Sequence, residues 1–97
     1  MANNMINTEL THSNGTSVIF TFADMDGFIA ATVEARLAPR TVRVHLNAAN
    51  MMGVLNAIEE NAVWGIADID EAVADLIFEL RHFLRFSQMA MMNSLCV

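Results

Sequence analysis

Hydrophobic and polar positions alternate with a period of two through the first half of the chain and recur every three to four residues in the second, which predicts strands followed by helices. From Ser17 to Phe22, Val18, Phe20 and Phe22 fall on one side while Ser17, Ile19 and Thr21 fall on the other. That is the pattern of a sheet with one well-buried face. A preceding strand is predicted over Ile6 to His12. Asn14-Gly15 lies between the two, and Asn-Gly favours a type I′ hairpin because both residues accept positive φ. Asp26-Gly27 predicts a second tight hairpin, with Phe28 to Ala35 returning as the third strand. Pro39 interrupts the pattern, after which "TVRVHL" sets Val42, Val44 and Leu46 inward and Thr41, Arg43 and His45 outward.

Asn47 is placed to cap a first helix, on which Met51, Val54, Leu55, Ile58 and Ala62 share one stripe. A second helix is predicted from Asp68, with Glu71 three residues on as an Asp version of the capping box and Asp70 also in the positively polarised first turn. Its core face reads Ile69, Val73, Leu76, Ile77, Leu80, Leu84 and Met91. The expected architecture is a single α+β domain spanning residues 1–97: an antiparallel sheet of about four strands, with two tight hairpins, followed by two helices packed on one face.

The second helix carries apolar residues on its other side as well. Phe78, His82, Phe86 and Met89 lie at spacings of four, four and three, roughly opposite the core stripe. Aligned aromatic and methionine side chains of this kind supply anchors at protein interfaces. Charge along the helix is uneven, because Glu71, Asp75 and Glu79 form a like-charge ladder and Arg81 and Arg85 follow. Two copies packed antiparallel about a two-fold near residue 79 would set each acidic half against the other's arginines, so a homodimer through this helix is one expectation. If His82 were buried beside Glu79, that association would depend on pH near 6.

Composition narrows the partners. Eleven acids against five bases, all of them arginine, give a formal charge of −6, which disfavours binding to duplex nucleic acid and favours a basic protein. Single-stranded nucleic acid would call for aromatics among the arginines, and none stands there. The lone Cys96 forms no intrachain disulfide or Cys-x-x-Cys motif, which with the lack of a signal-peptide pattern or of about 18 continuous apolar residues leads to the expectation of a cytoplasmic protein outside the membrane.

Catalytic signatures are sparse. The chain has no lysine for a Schiff base, no glycine-rich phosphate loop and no serine elbow. Asp24, Asp26 and Gly27 imitate the start of a calcium loop, but the glycine falls two positions early and Ala35 stands where the closing glutamate belongs, so a hairpin turn is the better reading. His12, His45 and His82 sit on separate elements, and no metal or other cofactor is expected. Arg36, Arg40 and Arg43 flank Pro39; Arg40, Arg43 and His45 form a candidate anion site, against which stands the simpler reading of ion pairs to Glu34.

The function expected from these residues is non-enzymatic: a small acidic module presenting the Phe78 to Met89 stripe and the Glu71, Asp75, Glu79 ladder, with Arg81 and Arg85, to a protein partner. One form of such a module is a phage or mobile-element inhibitor that blocks a basic surface of a host defence complex, a viral anti-defence role suggested by analogy. The alternative is a small ligand-binding or enzymatic domain with a cavity between sheet and helices lined by Met51, Met52 and Trp64.

Overall fold

The computed structural model describes residues 4–60 and 65–86, with side chains over 5–60 and 65–82. Four strands, β1 (Asn4–Thr11), β2 (Ser17–Met25), β3 (Phe28–Leu37) and β4 (Arg40–Ala48), precede two helices, α1 (Met51–Glu60) and α2 (Ala67–Phe86). The strands pair in chain order as an antiparallel meander, and both helices pack on one face of it. The α+β architecture expected from the patterning is the one observed.

The two-residue period puts Val18, Phe20 and Phe22 of β2 and Ile29, Ala31, Val33 and Ala35 of β3 under the helices, all buried. Phe20 and Phe22 stack with ring centroids 6.4 Å apart. The edge strands contribute half-buried residues, Ile6 and Leu10 from β1 and Val42, Val44 and Leu46 from β4, at the margins of the packed face. Met51, Val54, Leu55 and Ile58 close the core from α1, and Ile69, Val73, Leu76, Ile77 and Leu80 close it from α2. Ala62, Leu84 and Met91, also read as core, lie outside the described side chains.

Among the described residues no helix covers the other sheet face, which mixes polar side chains with Met5, Ile19 and Phe28. Asn7 donates to Thr21, Thr32 Oγ1 meets His45 Nδ1 at 3.0 Å, and Glu34 is held between Arg36 and Arg43. Cross-strand pairs of this kind satisfy the polar groups locally.

Three local expectations need correction. The β1–β2 connection is not a two-residue type I′ turn: Thr11 pairs with Ser17, His12 N–H donates to Thr16 O, and Gly15 N–H donates to His12 O. The loop is Ser13-Asn14-Gly15, with only Gly15 at positive φ (94°), the arrangement of a type I turn closed by a left-handed glycine. Asn14 keeps negative φ while its side-chain oxygen accepts from Thr16 N and its amide donates to Asp68 O. In the β2–β3 hairpin, likewise, Gly27 alone takes positive φ.

Asn47 does not cap α1, because it still pairs with Ala30 in the sheet. The cap is Asn50, whose Oδ1 accepts from Gly53 N–H at 2.9 Å while its carbonyl takes the first helical bond from Val54. α2 begins one residue earlier than Asp68. Ile66 supplies the carbonyl for Asp70 N–H, so Asp68 lies within the first turn, where it complements the helix dipole, and is not a capping-box residue.

Candidate functional site

The outer side of α2 is built by the same periodicity that builds the core. With Ile69, Ala72, Val73, Leu76, Ile77 and Leu80 all buried, helical geometry turns Glu71, Asp75, Phe78, Glu79 and His82 to the surface. Phe78 is 74% exposed, the most exposed large apolar side chain among the described residues. Asp75, Phe78, Glu79 and His82 line an open hollow along this face. Glu79 and His82 stand one helical turn apart there, a spacing legible in the sequence. Phe86 and Arg85 belong to the same helix, but their side chains, with Met89, lie outside the described set.

One charged residue turns elsewhere. Arg81 points to the seam with α1, where its guanidinium donates to Asn56 Oδ1 at 2.7 Å and Glu59 Oε1 at 3.2 Å and approaches the sulfur of Met52 at 3.5 Å. At the edge of the stripe, beside buried Leu80 and Ile77, it ties the two helices together. Met52, 61% exposed, lies beside it on the surface. Met51 is instead in the core, about 100° round α1 from Met52. Trp64 lies outside the described residues.

The acidic ladder meets a residue from the opposite end of the sequence. His12 Nε2 sits 2.7 Å from Asp75 Oδ2, and Glu71 comes close enough that one ligating atom from each of the three residues lies within 4.8 Å of the others. The loop geometry produces this meeting. Asn14 N–H donates to His12 Nδ1 at 3.1 Å, and the Asn14 side chain grips the start of α2 at Asp68 O. An accepting Nδ1 leaves the proton of the neutral ring on Nε2, aimed at Asp75. The hydrogen bond to Asp75 raises the His12 pKa above its ordinary value, opposed by desolvation and assisted by the charge of Glu71. Sequence reading missed this pairing because 63 positions separate the two residues.

On the far sheet face, Arg43 does not stand ready for an anion. Its Nε donates to Glu34 Oε1 at 2.9 Å, and Arg36 takes the other carboxylate oxygen. These bonds hold the Glu34 carboxyl below its ordinary pKa: the Arg43 hydrogen bond is the largest influence and outweighs desolvation. Glu34 is 6% exposed, so the two guanidiniums compensate an almost covered charge. His45 bonds Thr32, and Arg40 lies exposed at the start of β4. The ion-pair reading of this cluster is the one the geometry carries.

Compared with family models, curated proteins and solved structures, the chain has no match. Among the described residues no helix is long and apolar enough to cross a membrane.

Proposed function

We propose that the protein is a non-enzymatic interaction module whose docking surface is the outer face of α2, with Phe78 as its anchor and Glu71, Asp75 and Glu79 as its charged surround. The observation that carries this reading is the contrast between neighbours: Ile77 is fully buried while Phe78, one position on, is 74% exposed between acidic residues. An aromatic ring ringed by carboxylates suits a partner with an apolar pocket and arginines or lysines at its rim. The net charge of −6 steers encounter with the same class of partner. A phage or mobile-element inhibitor covering a basic groove of a host defence complex is one module of this kind.

Charge favours a foreign basic partner over a second copy. In an antiparallel pair about residue 79, the two Glu79 side chains would meet near the axis, and Arg81, which would have answered the facing acids, is already bonded to Asn56 and Glu59. Equilibrium sedimentation of the wild type at micromolar concentration should give a monomer. A captured basic protein should then bind the purified wild type with an affinity that falls with added salt and by roughly 30-fold or more in Phe78→Asp, the scale of an interface anchor. A wild-type dimer dispersed by Phe78→Asp, or a partner indifferent to that substitution, would overturn the reading.

A further inference from the structure

Glu71 and Asp75 stand one turn apart on α2, a like-charge pair that disfavours the helix unless a cation lies between them. The β1–β2 loop delivers an imidazole to that spot. The donors are thus one ring nitrogen and two carboxylates from two elements distant in sequence. Two further hydrogen bonds, Asn14 N–H to His12 Nδ1 and Asn14 Nδ2 to Asp68 O, hold the loop in register with the helix.

We propose that His12, Glu71 and Asp75 form a binding site for a borderline divalent ion of the Zn2+ type, which fastens the β1–β2 loop to α2. The donor set decides the class of ion. Imidazole with carboxylates suits Zn2+ and its neighbours, whereas Mg2+ and Ca2+ favour oxygen ligands throughout.

Bonds of about 2.0 to 2.2 Å in a tetrahedral arrangement separate ligating atoms by about 3.4 Å. The His12–Asp75 pair at 2.7 Å must therefore open slightly and Glu71 must draw in, movements that exposed carboxylates on a helix make by changing rotamer. Ligation at Nε2 moves the hydrogen of the neutral ring to Nδ1, so the bond from Asn14 N–H to Nδ1 opens as the ion enters and the new Nδ1–H turns to water. Three protein ligands leave a coordination position for water, or for a donor from a docking partner.

The site stands apart from the docking proposal in its evidence, although Glu71 and Asp75 belong to both. Isothermal titration of chelator-stripped full-length protein with Zn2+ should show one site. His12→Gln and Glu71→Gln should each weaken it by about tenfold or more, with His45→Gln unchanged. Circular dichroism checks that each variant is folded, and Glu71→Gln leaves the His12–Asp75 contact in place should His12→Gln unfold the loop. Thermal melting of the wild type, but not of His12→Gln, should shift upward in Zn2+. No Zn2+ uptake, uptake undiminished in both variants, or equal uptake of Mg2+ would overturn the site, the last revealing only an acidic surface.

Discussion

Truncating Ile77 and Phe78 in turn separates the two sides of α2. Ile77 is fully buried against the sheet, so Ile77→Ala removes buried methyl and methylene groups and leaves a cavity, at a cost of about 2 to 5 kcal/mol. Phe78 keeps only about a quarter of its surface covered. Full burial of such a side chain is worth about 1.5 to 3 kcal/mol, so a quarter corresponds to about 0.4 to 0.8 kcal/mol, and the higher helix propensity of alanine offsets part of that. Urea unfolding followed by circular dichroism, with the m-value held in view, measures both changes. A loss above about 1.5 kcal/mol for Phe78→Ala would refute the reasoning, since the ring would have to be covered in the folded protein and the face would not be open to a partner.

Other substitutions test the local geometry. Asn50→Ala should destabilise the fold by about 0.5 to 2 kcal/mol in urea melts, whereas Asn47→Ala, on the exposed side of β4, should change it by less than about 0.5 kcal/mol; the reverse order would restore the cap to Asn47. With a chelator present, the His12 contribution to stability should be complete below its unfolded pKa of about 6.5 and should fade as pH rises through the higher folded value. Asp75→Asn should flatten that dependence, and an unchanged profile would remove the contact from solution. Glu34 has the opposite sign: its lowered pKa gives a contribution present above its unfolded value and lost as pH falls through the folded one. Arg43→Leu should therefore lower stability at neutral pH and shrink the acid-side loss, read from urea midpoints between pH 7 and 3.

The strands and helices were legible because burial follows period in each of them. Val18, Phe20 and Phe22 alternate without a break, and Ile69, Val73, Leu76, Ile77 and Leu80 follow the helical count. The outward direction of Phe78 followed from that same count. Turn conformation and capping were less legible, because they depend on hydrogen bonds that composition does not state. Asn14 accepts from Thr16 and donates to Asp68, and this holds it away from the positive φ that an Asn-Gly pair suggests. Asn47 and Asn50 are both plausible caps by type, and only the extent of β4 decides between them. Arg81 turns to α1 because Asn56 and Glu59 wait there, a tertiary fact. The meeting of His12 with Glu71 and Asp75 likewise requires the packed loop and helix.

The most direct test of the α2 surface is a heteronuclear NMR titration of the 15N-labelled protein with a synthetic amphipathic peptide of alternating arginine and leucine turns, a defined mimic of a basic partner. Saturable shifts should concentrate at Glu71, Asp75, Phe78, Glu79 and His82, weaken with salt and vanish in folded Phe78→Asp. Shifts spread equally over Glu9, Asp24 and Asp26, and retained in Phe78→Asp, would contradict the proposed surface, because the peptide would then be reading acidity alone and not the anchored face of the helix.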